Sequence, residues 1–237
     1  MSDLTYALLL AAFAGLAMPL GGLLARYEHV RDTRIQSRIV HTVTAFGGGA
    51  LLSAVALVLV PRGAEALPVT LAIPLLVAGG VSFYVVDKIL ARAGGSGALL
   101  LAMLLDFLPE AMALGALLTT EAATAKLLAA MIFLQNLPEG FSAFREIWSR
   151  GQAPGWQILL SFIGLAALGP LCAGFGFQFL STDPETLGAI MIFAAGGILY
   201  LLFQDIAPEA HVSGDWSPAL GAVCGFALGL AGDMIIG

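Results

Sequence analysis

Apolar residues in this chain gather in long blocks separated by short polar stretches, and they do not alternate with polar positions as they would in half-buried strands. Dividing the sequence at its Gly, Pro and charge clusters leaves eight blocks, roughly 4–25, 39–61, 67–88, 97–119, 123–146, 156–180, 187–210 and 217–236. Each is close to the length of about 20 apolar residues that carries a helix across a bilayer core. The pattern predicts an all-α, polytopic membrane protein of eight transmembrane helices, with residues 1–237 forming one domain and no room for a soluble one. The first block follows Ser2-Asp3 without a basic flank or a small-residue cleavage site, so it is expected to be retained as helix 1 and not removed as a signal peptide.

Composition agrees. The chain is 59% hydrophobic and only 11% charged, against about 25% charged residues in a soluble domain. Arg26, Arg31, Arg34, Arg38, Lys88, Arg92, Arg145 and Arg150 fall in the loops after helices 1, 3 and 5, and only Arg62 and Lys126 fall on the other side. That bias predicts a multi-pass protein of the cell (inner) membrane with both termini outside. The net charge of −6 argues against a nucleic-acid partner and leaves the lipid bilayer as the expected surroundings.

Three copies of one polar phrase interrupt the apolar blocks: Asp106-Phe-Leu-Pro109-Glu110, Gln135-Asn-Leu-Pro138-Glu139 and Asp205-Ile-Ala-Pro208-Glu209. Each sets an oxygen-bearing side chain four residues before a glutamate, which places both on one helix face a turn apart. Each also has a proline before the glutamate, which frees the carbonyl four residues back and bends the helix. One copy would read as a kink beside a hydrogen-bonded acid. Three copies at one spacing gather carboxylates that repel one another away from water unless a cation or protons compensate, and so predict a cation path.

The remaining polar and small residues are given plainer roles. Cys172 and Cys224 are expected to be small core residues, and His29, His41 and His211 ordinary interfacial ones. Gly47-Gly48-Gly49, Gly94-Gly95 and Gly196-Gly197 should serve close helix packing or a loop turn.

Helices 4 and 5 run in opposite directions with their phrases near mid-span, so Asp106, Glu110, Gln135, Asn136 and Glu139 can face one midplane pocket. Helix 7 carries its copy near the cytoplasmic end. Helix 2 holds a faded counterpart, since Gly49 precedes Pro61 by twelve residues as Gly196 precedes Pro208, with Val58 and Arg62 in place of Asp205 and Glu209. This is the trace of an inverted repeat relating helices 1–3 to helices 6–8, an arrangement common in secondary transporters.

The chain resembles the ZIP family of divalent metal transporters. The likeness rests on the Pro-Glu phrases of helices 4 and 5, with further matches at Met18-Pro19-Leu20-Gly21, Gly49 to Pro61, Gly169-Pro170-Leu171 and Tyr200 to Glu209. It implies eight helices in a 3+2+3 arrangement, uptake of zinc, manganese, iron or a similar ion toward the cytoplasm, a homodimer, and movement of helices 1, 4, 5 and 6 against the rest. The implied metal site is Asp106, Glu110, Gln135 and Glu139, assisted by Asn136, and the carbonyls of Leu105 and Leu134 that Pro109 and Pro138 free are expected to complete the shell. Gln204, Asp205 and Glu209 would form an exit or gate.

The chain departs from the family pattern where the usual helix 4 His-Asn reads Asp106-Phe107 and the helix 6 glutamate reads Gly169, followed by Pro170-Leu171-Cys172; the His-rich loop between helices 3 and 4 is replaced by a short Gly-rich one. A second neighbouring metal would rely on the positions of Phe107, Asn136 and Gly169, so one ion per subunit is expected, carried as cargo with no resident cofactor and no enzymatic step. A proton-coupled carrier or a non-transporting metal sensor also fits the acids. An intramembrane hydrolase using Asp106 with Asp205 fits less well, because the Gly-x-Gly-Asp, Gly-x-Ser-Gly and His-Glu-x-x-His sequences are missing.

Overall fold

The computed structural model describes residues 2–28, 33–93, 96–212 and 214–236. His29, Arg31, Gly94 and Gly95 therefore lie outside the described residues. The chain is all-helical. Helix α1 spans Asp3–Tyr27, and α2 runs over Thr33–Ala54, through a π-helical turn at Val55–Leu59, to Val60–Ala66. Then come α3 (Val69–Ala93), α4 (Ser96–Leu117), α5 (Ala122–Ser149) and α6 (Gly155–Phe175, extended by a π turn at Gly176–Leu180). Helix α7 comprises Pro184–Leu201, a π turn at Leu202–Ile206 and a last turn at Ala207–Glu209, and α8 is Ser217–Ile236. All eight are long and apolar enough to cross a membrane. This is the fold of a multi-pass membrane protein.

Local chemistry sets several helix ends. The Ser2 hydroxyl accepts the Thr5 N–H at the start of α1, and Asp183 accepts the Thr186 N–H at the start of α7, where Pro184 occupies the first turn. Helix α2 begins six residues before the predicted apolar block, because its first turns, including Gln36, Ser37 and Arg38, are polar. Hydropathy alone does not register a helix that continues past its apolar part.

Burial divides the helices into centre and periphery: over an 18-residue apolar stretch of each span, 67% of residues are buried in α2 and α5, against 17% in α3 and α8. Helices α1 and α5 lie parallel, with Asn136 beside Ala14, Gly140 against Met18 and Arg145 paired with Glu28 along their lengths. Helices α4 and α6 are also parallel, as are α2 with α8 and α3 with α7. The pairs α1 with α6 and α2 with α7 are antiparallel. Glycines permit the closest approaches. A Cβ on Gly49 would stand 2.0 Å from the Ala222 carbonyl oxygen of α8, and one on Gly196 would stand 1.9 Å from the Leu76 carbonyl oxygen of α3. Gly47-Gly48-Gly49 and Gly196-Gly197 thus serve close helix packing as expected.

The π turns of α2 and α7 were not legible in the hydropathy pattern. Each begins six residues before a proline, Pro61 or Pro208, and closes with a backbone bond that spans one residue more than an α-helical one: Val60 N–H to Val55 O, and Ala207 N–H to Leu202 O. A proline cannot donate into the ladder, and the wider turn beside it re-aims the helix end. One expectation is corrected. Cys224 is exposed on α8 and is not a core residue, whereas Cys172 is half-buried and packs against the core; both are free thiols.

The two ends of the bundle differ in charge. Arg26, Arg38, Lys88, Arg92, Arg145 and Arg150 lie at one end, called here the basic face, while Arg62 and Lys126 lie at the opposite face. At the basic face Arg38 Nε meets Asp215 Oδ2 at 2.6 Å and joins α2 to the loop before α8; at the opposite face Arg62 meets Glu121 at 2.6 Å. The Ser217 hydroxyl at 2.6 Å and amide at 3.0 Å, and then Arg38, hold the Asp215 carboxyl down from 3.8 to about 2. A depressed carboxyl stabilises the fold above its ordinary value and loses that contribution as pH falls through its folded value. Thermal unfolding in detergent should therefore separate the unmodified protein from Asp215→Asn at pH 5, and the gap should close near pH 2. A gap unchanged across that window would exclude the clasp.

Candidate functional site

Helix α4 brings Asp106, Phe107 and Glu110 into the bundle, and α5 brings Gln135, Asn136 and Glu139. Asp106 and Gln135 are 4% exposed, Glu110 and Asn136 0%, and Glu139 is half-buried. Both helices continue unbroken through Pro109 and Pro138. Helix α2 closes over α5 because Gly47 offers no side chain to the Pro138 ring, where a Cβ would stand 2.6 Å from Cγ. The Thr44 and Ser142 hydroxyls share a 3.0 Å hydrogen bond across that contact.

A cavity of about 600 Å³ reaches from mid-span to the basic face. Asp106, Gln135 and Glu139 line its inner end, and the exposed Gln204, Asp205 and Glu209 of α7 line its mouth. All but two of the eight residues singled out from the sequence therefore share one cavity. The exceptions are Glu110 and Asn136. Glu110 stands behind Gln135, whose Nε2 donates to Glu110 Oε2 at 2.7 Å; Asn136 turns toward α1 and donates to the Ala14 carbonyl at 3.3 Å. His41 stands at the mouth with its Nδ1 against the Glu209 carbonyl.

Two acids of the wall were missed in the sequence. Asp87 of α3 accepts the Tyr200 hydroxyl at 2.8 Å, and Glu146 of α5 pairs with Arg150 at 2.6 Å. Neither acid belongs to a Pro-Glu phrase: Asp87 sits beside Lys88, and Glu146 precedes Arg150 by one turn. The available signal was helical periodicity: Gln135, Glu139, Ser142 and Glu146 form one stripe along α5.

Among the described residues that line the cavity, six carboxylates (Asp87, Asp106, Glu139, Glu146, Asp205 and Glu209) face a single basic group, Arg150. A cleft of one sign with apolar walls focuses its field and concentrates counter-ions, here cations. At the inner end the charges of Asp106, Glu110 and Glu139 act on one another. Among the described residues no three His, Cys, Asp or Glu side chains converge at metal-holding distance. Protein donors already engage part of the set: the Phe107 N–H bonds to Asp106 Oδ1 at 2.8 Å, and Gln135 engages Glu110. Three buried oxygens have no donor at all, namely Glu110 Oε1, Gln135 Oε1 and Asn136 Oδ1. All three are acceptors, so what the inner end lacks is positive charge or protons.

No family model matches the chain, and no curated protein matches it.

Proposed function

We propose that the protein carries a divalent metal cation across the membrane through a site between α4 and α5, in the manner of the ZIP transporters that its Pro-Glu phrases resemble. The observation that carries this reading is the set of donorless buried oxygens: Gln135 Oε1 at the inner end of a cavity walled by carboxylates, with Glu110 Oε1 and Asn136 Oδ1 outside its lining. Apolar surroundings make such oxygens costly unless a cation or proton meets them. Asp106, Glu139 and the Gln135 carbonyl oxygen are the ligands presented to the cavity. Glu110 orients Gln135 and supplies further negative charge, and Asn136 ties α5 to α1. The ion is cargo, one per subunit, and its charge relieves the mutual repulsion of the acids.

The basic face is assigned to the cytoplasm by its excess of Arg and Lys. On that assignment the chain ends lie outside, the cavity opens inward, and Gln204, Asp205 and Glu209 line the exit toward the cytoplasm. The inverted 3+2+3 arrangement is supported by reciprocal packing: α1 lies parallel to α5 as α6 does to α4, and α2 to α8 as α7 does to α3. It is supported too by the matching π turns before Pro61 and Pro208. The family resemblance also implies a homodimer.

Ligand chemistry gives a test. Imidazole suits Zn²⁺, whereas carboxylate oxygen suits Mn²⁺ and other hard ions. Asp106→His should raise the preference for Zn²⁺ over Mn²⁺ in competition uptake. An unchanged or reversed ratio would remove Asp106 from the ligand set.

A further inference from the structure

The cavity ends at Asp106, Gln135 and Glu139, and neither Phe107 nor Glu110 lines it. Just past that end stands the Phe107 ring, 0% exposed. It sits in a slot between two glycines. A Cβ on Gly15 of α1 would meet Phe107 Cζ at 2.9 Å, and a Cβ on Gly169 of α6 would meet Cζ at 2.5 Å and Cε1 at 3.1 Å. The ring occupies its position because neither neighbour has a side chain. The slot is narrow on its far side as well: the Gly169 Cβ would also stand 3.2 Å from the Ala11 carbonyl oxygen, and the Gly15 Cβ 3.0 Å from the Ala166 backbone. Toward the opposite face from the ring, Ala11, Leu114 and Ala173 are all fully buried. Beyond Asp106 and Glu139, the route to the opposite face meets the Phe107 ring and its apolar surroundings at the convergence of α1, α4 and α6.

We propose that Phe107 is the barrier residue of the path: its ring, seated between Gly15 and Gly169, closes the acidic site on the side away from the cavity, and an ion passes only when the ring leaves the slot. A hydrated cation cannot enter an apolar constriction without losing water that nothing there replaces. The Phe107 amide also bonds to the Asp106 carboxylate, so the barrier and a ligand of the site share one backbone position. The inference rests on the transport reading for the identity of what is held back, but its test does not.

The test measures water access behind the ring in the full-length protein, with Cys172 and Cys224 replaced by Ser. A cysteine is introduced at Ala102, in the cavity wall, or at Ala11, behind the ring. Labelling by N-ethylmaleimide is followed by mass spectrometry. Ala102→Cys should label readily and Ala11→Cys at least about tenfold more slowly, as expected for a dewetted layer. Adding Phe107→Ala should raise labelling at position 11 about tenfold, and Phe107→Leu, which keeps apolar bulk, should not. Should Phe107→Ala fail to fold, Gly169→Ala keeps the ring but displaces it and should also raise labelling at position 11. Equal labelling at 11 and 102 in the parent, or no increase in whichever of Phe107→Ala and Gly169→Ala elutes as folded protein, would overturn the assignment. Protein that transports no metal but shows this labelling pattern would refute the transport reading and leave the barrier standing.

Discussion

Metal uptake falls by about 100-fold or more in Glu139→Ala, while the protein still reaches the membrane in normal amount. Even a residue that only supports a ligand costs about 10–100-fold in affinity or activity when removed, and a direct carboxylate ligand costs more. Folding should survive because Glu139 is half-buried, has no ion pair among the described residues, and stands where its negative charge would repel those of Asp106 and Glu110. Glu110 behaves differently. It is fully buried and accepts the Gln135 amide, so Glu110→Ala leaves a void and an unpaired donor, at a cost of about 1–3 kcal/mol for the donor alone. Glu110→Gln keeps the shape and should lose uptake with little loss of stability. Uptake retained by Glu139→Ala and Glu110→Gln, at matched membrane levels, would remove the inner end of the cavity from the transport path.

The second large effect is one of stoichiometry. A divalent ion needs about four to six donors, and beside the expected site Phe107 and Gly169 supply none from their side chains. The unmodified protein should therefore hold one metal per subunit at mid-span. Restoring donors with Phe107→Asn, Asn136→Asp and Gly169→Glu together should create a second, adjacent site. The changes must be made together. Gly169→Glu alone drives its Cβ into the Phe107 ring, and Asn136→Asp alone exchanges a hydrogen bond to the Ala14 carbonyl for a repulsive contact. Each single variant should thus be less stable than the unmodified protein, with the first rescued by Phe107→Asn. Anomalous diffraction from metal-soaked crystals reads the outcome. Two adjacent peaks in the unmodified protein would overturn the single-ion claim, and one peak in the triple variant would show that α6 does not contribute a ligand position.

Hydropathy marked all eight helices because a membrane span must be apolar over its whole length, a constraint visible in a single sequence. It missed the polar start of α2 and the π turns, which depend on backbone geometry near Pro61 and Pro208. The Pro-Glu phrases led to Asp106, Gln135, Glu139 and the α7 trio, which share the cavity. They could not show that Glu110 stands behind Gln135 or that Asn136 faces Ala14. Adjacent residues on a helix point about 100° apart, and the neighbouring helix decides which of them meets the cavity. The seat of Phe107 was hidden for a similar reason, since Gly15 and Gly169 are far apart in sequence and become a slot only when α1 and α6 cross.

The most direct test of the central claim is flux of Mn²⁺ or Zn²⁺ into proteoliposomes containing the purified protein. Saturable, time-dependent accumulation above protein-free liposomes is expected, abolished by Glu139→Ala. Folded, reconstituted protein that accumulates no more metal than empty liposomes, or that accumulates it equally well with Glu139→Ala, would contradict it.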